Sequence, residues 1–162
     1  MSHNSAMRLI MLFILSQLLV APAAAEMLSG PVKVIDAANL RVGGQLVRLH
    51  GIAAPMPGDR CALRGVTMRC GRIATTALMD LTAGASVQCQ THGKPSAEGI
   101  YLANCKANGY DLSEGMVYTG WARPAKGAPS RYRDIEAGAQ KRRRGLWRGD
   151  FPDAVNKAAV SR

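Results

Sequence analysis

The stretch Val47-Arg48-Leu49-His50-Gly51-Ile52-Ala53-Ala54-Pro55-Met56 constrains this chain more than any other. It starts as a strand, with Val47, Leu49 and Ile52 apolar. It then runs into a proline that has no N–H to give to a sheet ladder, so backbone pairing should stop near Pro55. A functional loop belongs at such a stop. Upstream, Gly30 to Asp36 and Leu40 to Val42 read as two more short strands joined at Ala37-Ala38-Asn39, and Gly43-Gly44 turns the chain into the strand Leu46 to Ile52. Together they predict a three-stranded meander.

After Pro55, Met56 to Cys70 reads as a loop, broken by Pro57, Gly58 and Gly65. Arg72 to Ala83 then spaces Ile73, Ala77, Leu78 and Leu81 close to a helical period, with Gly84 as a C-terminal stop. Ser86 to Gln90 and Ile100 to Lys106 alternate as strands around the polar stretch His92 to Gly99. A second helix starts at Asp111, whose side chain can cap it with Glu114 three residues on. It carries Leu112, Met116 and Val117 and ends at Gly120. Beyond Pro124, Gly127 and Pro129, a third helix from about Ser130 to Arg143 puts Tyr132, Ile135 and Ala139 on one face. Three strands, a helix, two strands and two helices predict an α+β fold, mainly β: a five-stranded OB-type barrel with about three helices.

The 162 residues suffice for one domain with a single core. Residues 1–25 read as a secretory signal peptide. Arg8 precedes the apolar run Leu9 to Val20, too short to span a bilayer comfortably, and Ala21-Pro22-Ala23-Ala24-Ala25 offers small residues to a signal peptidase. An uncleaved anchor is the alternative. Cleavage after Ala25 leaves a domain over residues 26–151 and a tail, 152–162, that has no readable pattern and is expected to be flexible. The mature chain then has no stable membrane anchor and works in an oxidising place, secreted or periplasmic.

Lys and Arg number 21 against 11 Asp and Glu. Most of the excess lies between Arg123 and Arg148, where nine basic residues oppose only Asp134 and Glu136, a local +7. The candidate binding residues there are Arg123, Lys126, Arg131, Arg133, Lys141, Arg142, Arg143 and Arg144. Such a field suits nucleic acid, another polyanion such as an acidic polysaccharide, or an anionic membrane face; a solvated helix face that keeps the protein soluble gives the same pattern. With 5% aromatic residues there is little surface for stacking single-stranded bases. Trp121 and Trp147 read as packing anchors.

Cys61, Cys70, Cys89 and Cys105 allow three pairings. If Cys89 and Cys105 face each other across an antiparallel hairpin, its turn falls near Ala97, inside the polar His92 to Gly99 stretch. That geometry favours Cys89–Cys105 and leaves Cys61–Cys70, each worth about 3 kcal/mol on the chain-entropy estimate. A four-cysteine zinc site is the rival, but no Cys-x-x-Cys spacing supports it.

Taken together, these segments resemble the staphylococcal-nuclease-like (thermonuclease) family, whose members read Asp-Gly-Asp-Thr-Leu and then Arg-Leu-x-Gly-Ile-Asp-(Ala/Thr)-Pro-Glu. The frame is matched by Asp36 to Leu40 and Arg48 to Met56. Cys70-Gly71-Arg72-Ile73-Ala74, Gly99 to Cys105, Asp111-Leu112 with Met116-Val117, Gly120-Trp121-Ala122 and Arg144-Gly145-Leu146-Trp147 match later family segments, so the resemblance covers about residues 30 to 151.

The resemblance implies phosphodiester cleavage with calcium held by carboxylates, a Glu acting on the attacking water, and two arginines stabilising charge on phosphorus. Carried over position by position, however, Ala38 and Ala53 stand where the family has aspartates, Asn39 replaces its Thr, Met56 its Glu, and Ile100 its second Arg. Only Arg48 remains of the catalytic set. The expectation is therefore no calcium or other metal, and no catalysis by the family mechanism. Arg48 is expected to pair with Asp36 on the neighbouring strand, with phosphate binding as the alternative. The reading is a nuclease-like domain that binds nucleic acid, another polyanion or an envelope protein. The alternative is a calcium-dependent phosphodiesterase rebuilt from Asp36, Asp59, Glu98 and His50.

Overall fold

A computed structural model describes residues 25–159. The expected signal peptide lies, but for its last residue, outside the described residues. In chain order the strands are β1 (Met27–Gly30), β2 (Val32–Val34), β3 (Asn39–Val42), β4 (Gln45–Leu49), β5 (Ile52–Ala53), β6 (Cys61–Leu63), β7 (Val66–Met68), β8 (Val87–Thr91), β9 (Ile100–Ala107), β10 (Tyr110–Asp111) and β11 (Arg123–Pro124). The helices are α1 (Cys70–Thr82), α2 (Leu112–Tyr118), α3 (Arg131–Lys141) and α4 (Asp153–Ala158), with a 3-10 turn at Gly145–Arg148.

The period-2 alternation of the sequence becomes the inside and outside of a barrel. Leu40, Val42, Val47, Leu49, Val87, Cys89, Ala103 and Cys105 are buried, while Arg41, Arg48, Gln88 and Lys106 between them are exposed. The sheet runs β1-β8-β9-β4-β3-β2, with β10 added to β9. Its pairs are antiparallel except β4 with β9, which run parallel. Only Pro31 separates β1 at one end of this order from β2 at the other. The two are one bent strand, and the bend at Gly30-Pro31 closes the sheet on itself. Counting that strand once gives five barrel strands, the OB-type arrangement the sequence predicts.

Cys89 stands directly opposite Cys105 in the β8–β9 ladder, and the two are disulfide-bonded. The second disulfide, Cys61–Cys70, ties β6 to the first residue of α1. Two disulfides fit an oxidising environment outside the cytoplasm. Among the described residues no helix is long and apolar enough to cross a membrane.

Three features depart from the sequence reading. The Met56 to Cys70 segment is not all loop: β6 and β7 form a hairpin whose strands, three residues each, are too short to show a period. Among the described residues four helices form rather than about three. The fourth, α4, lies within 152–162, where the sequence shows no readable pattern, and its Val155 is buried with Phe151, Leu146 and Ala53 in a second apolar cluster. Phe151 and Val155, four apart, were its one faint signal; residues 160–162 lie outside the described set.

This second cluster is held to the barrel by the two glycine motifs of the C-terminal half. Leu146 N–H donates to Gly120 O at 3.0 Å, joining the end of α2 to the 3-10 turn. A side chain at Gly120 would strike the Arg144 carbonyl, and one at Gly145 the Gly120 carbonyl.

Candidate functional site

A cleft of about 390 Å³ opens where β5 ends. Its walls are Asp36, Ala38, Asn39 and Arg48 from the β2–β4 meander, Ile52 to Met56 and Asp59 from the proline-stopped segment, and Ala125, Ala154, Val155 and Ala158 from the C-terminal part. Four positions that the sequence singles out, Ala38, Arg48, Ala53 and Met56, therefore meet in one place. Ile100 lies one step away, in an adjoining hollow of about 200 Å³ that it shares with Asp36, Asn39 and Arg48. The alanines and Val155 of the far wall have no counterpart in the sequence reading.

Asp36 shapes the near wall. Its Oδ1 accepts from the Ala38 and Asn39 backbone N–H groups at 2.9 Å each, closing an Asx-type turn. The Asn39 amide donates to both carboxylate oxygens at 2.8 Å. Asn39 stands opposite Arg48 in the β3–β4 ladder and accepts from Arg48 Nε at 3.1 Å. The predicted Arg48–Asp36 pair is thus replaced by a relay through Asn39, which sits between the two groups. The terminal nitrogens of Arg48 have no partner among the described residues, and its side chain is exposed. One guanidinium fork is open to an oxyanion.

The floor is apolar. Ala53 is 9% exposed and packs with Val155, Phe151 and Leu146, while β5 pairs with β11 behind it. Met56 is 66% exposed at the rim. Gly71, at the start of α1, approaches the Met56 carbonyl so closely that a side chain there would clash, which fixes the rim against the helix.

The remaining polar candidates each have local duties. Asp59 accepts from Met56 N–H at 2.8 Å. Glu98 accepts from the Ser96 hydroxyl at 2.7 Å, a bond that lowers its pKa. His50 stacks on His92 with ring centroids 4.2 Å apart. Burial, and then the neighbouring His92, lower the His50 pKa, outweighing Asn104 and Asp111, which favour the charged form. Neither His50 Nδ1 nor Asn104 Oδ1 has a hydrogen-bond partner among the described residues. Likewise among the described residues, no three His, Cys, Asp or Glu side chains gather closely enough to hold a metal ion.

The basic segment divides into two kinds of residue. Arg123 donates to Glu136 at 2.8 Å and Asn156 at 2.9 Å and lies 5.2 Å from the Trp147 ring centroid, so it ties α3, α4 and the 3-10 turn together. Arg131 bridges Asp111 at 2.9 Å and Glu114 at 3.0 Å. Arg144 lies 3.8 Å above the Tyr118 ring and donates to its hydroxyl at 3.0 Å. These three hold the fold. Lys126, Arg133, Lys141, Arg142 and Arg143 are exposed and have no ion pair among the described residues.

Residues 46–149, from β4 through the cleft to the end of the 3-10 turn, match the staphylococcal nuclease homologue family. The chain belongs to this family. A relative within reach is the succinoglycan biosynthesis protein ExoI of Rhizobium meliloti (strain 1021), which is 29% identical over 146 residues, covering 86% of this chain and 74% of ExoI. This nuclease homologue has the barrel, and Arg48 lines its cleft. The carboxylates in its cleft are Asp36 and Asp59, both already accepting backbone N–H groups.

Proposed function

We propose that this nuclease homologue is a secreted or periplasmic binding protein that takes up a polyanion without cleaving it. One observation carries the reading: the cleft that lines up Ala38, Ala53 and Met56 offers an apolar floor where the family chemistry needs anionic ligands. A calcium ion takes about six to eight oxygens. Asp36 and Asp59 are the two carboxylates lining the cleft, each already accepting backbone N–H groups, and Ala53 has no side-chain oxygen, so the cleft is short of the anionic donors calcium takes. Losing a general base costs roughly 10²–10⁴ in rate and losing a charge-stabilising group roughly 10²–10³.

The exposed cations of α3 and its C-terminal end supply the attraction. The relative ExoI is named for succinoglycan biosynthesis, which supports an acidic polysaccharide as the polyanion beside nucleic acid, with an envelope protein as the other partner. Titration of the disulfide-intact chain with single-stranded DNA and with an acidic polysaccharide at rising salt tests this. Affinity should fall steeply with salt, as counterion release requires. Absence of binding to either at about 50 mM salt, within the range where such contacts are strongest, contradicts it.

A second reading draws on Arg48, Asp36 and Asp59 lining one cleft. It makes the chain a phosphodiesterase with a rebuilt site, and it requires turnover that disappears in both Asp36→Ala and Arg48→Ala.

A further inference from the structure

Away from the cleft, a cavity of about 330 Å³ is lined by Arg64, Arg143, Trp147, Arg148 and Gly149. We propose that Arg64, Arg143 and Arg148 form a seat for one tetrahedral oxyanion, a phosphate or sulfate group, carried by the polyanion this protein binds. The site deepens the polyanion reading and uses none of the cleft residues.

Three arginines line this cavity, and no Asp or Glu does. Like charges gathered without a counterion repel, and a bound oxyanion removes that repulsion while accepting forked N–H bonds. Arg148 is pre-positioned, because its Nε donates to Gly145 O at 3.1 Å and so leaves the terminal nitrogens for a ligand. The Trp147 indole N–H is buried and has no acceptor among the described residues.

The backbone gives a second, independent reason. Arg64 and Gly65 are the two central residues of the β6–β7 hairpin, with φ 52° and 78°. Positive φ at both positions is the type I′ turn, whose first central place favours Asn, Asp or Gly. Arg143 stands at the left-handed position after α3, with φ 50°. Its N–H donates to Gln140 O, and the Arg144 N–H to Ala139 O, each at 3.0 Å, which is the Schellman arrangement that normally takes glycine. Thus two arginines occupy glycine or asparagine positions, and both line the same cavity. An unfavourable backbone residue repeated at one site marks a demand on its side chain.

The parts are also held in register. Leu63 bridges Gly149, Asp150 N–H donates to Ala62 O at 3.2 Å, and Cys61–Cys70 anchors the base of the hairpin. Arg64 therefore reaches the same cavity as the two C-terminal arginines by construction of the fold.

The test uses the full disulfide-intact chain, labelled with nitrogen-15, titrated with inorganic phosphate and separately with sulfate against chloride of matched ionic strength. Either anion should shift the Trp147 indole resonance saturably, and the stronger of the two identifies the group. Arg64→Asn and Arg143→Gly suit their backbone positions better than the native residues, so they keep the fold. Each should weaken anion binding at least tenfold, while Lys106→Ala, an exposed position on the barrel wall, should leave it unchanged. The proposal is overturned if the indole does not respond, or if both variants bind as the native chain does. Loss of DNA and polysaccharide binding with the anion response intact would remove the polyanion reading and leave the seat standing. Polymer binding untouched by Arg64→Asn would separate the polymer from this seat and overturn the link between them.

Discussion

Asn39 and Arg48 face each other across β3 and β4, and the Arg48 Nε–H donates to Asn39 Oδ1 at 3.1 Å while the Asn39 amide holds both oxygens of Asp36. The turn depends on Asp36 rather than on Arg48. Asp36→Ala removes a charged acceptor from four hydrogen bonds and should cost about 1.5–3 kcal/mol. Arg48→Ala breaks one exposed bond and should cost less than about 1 kcal/mol. Urea unfolding of the two variants checks the order; equal losses would contradict it.

Ala53 packs with Val155 of α4, so a carboxylate at this position would be taken out of water. Ala53→Asp would bury a carboxylate beside Val155 and Phe151 and should destabilise the fold by at least ~2 kcal/mol. The same change at exposed Met56, Met56→Asp, should stay within about 0.5 kcal/mol. Thermal unfolding compares them, and a neutral Ala53→Asp would show that the floor opens to water.

Gly120→Ala and Gly145→Ala each push a methyl group into a facing backbone carbonyl. Each should cost more than about 2 kcal/mol, since backbone cannot rotate aside as a side chain can. The contact predicts a shared lesion: the double variant should lose less than the sum of the two single losses. Denaturant midpoints of the three variants measure this.

His50 carries a pH dependence with a definite sign. Its folded pKa lies below the ordinary 6.5, through burial first and His92 second. Above pH 6.5 both folded and unfolded chains hold it neutral and its contribution is complete. As pH falls below that value the unfolded chain takes up a proton that the folded chain resists, so stability declines until the lowered folded pKa is passed. His50→Gln should flatten unfolding stability between about pH 6.5 and pH 5, above the range in which ordinary carboxylates titrate. An unchanged slope would place the titration elsewhere.

Much of this fold is legible in the residues. The alternation of Leu40, Val42, Val47 and Leu49 gives the barrel wall, and the symmetric placing of Cys89 and Cys105 about a polar turn gives the hairpin register. The cleft was legible as a set of positions, because Pro55 stops a strand and Arg48 precedes it by a fixed step. Its far wall was not, because α4 has six residues and owes its place to tertiary packing of Phe151 and Val155 rather than to helical propensity. Arg48 bonds Asn39 rather than Asp36 for a related reason. Cross-strand reasoning places Asp36 nearby but cannot see that an Asx-type turn folds Asn39 between them. The charge run from Arg123 to Arg148 read as one patch, yet Arg123, Arg131 and Arg144 are spent on internal pairs that sequence distance conceals.

On the proposed function, this barrel binds a polyanion without cutting it. Incubating the disulfide-intact chain with labelled single-stranded DNA, with calcium and with chelator, beside Arg48→Ala, tests it most directly. The account predicts intact DNA in every lane. Calcium-dependent cleavage that disappears with Arg48→Ala would contradict it and show that the cleft assembles a working site around that arginine.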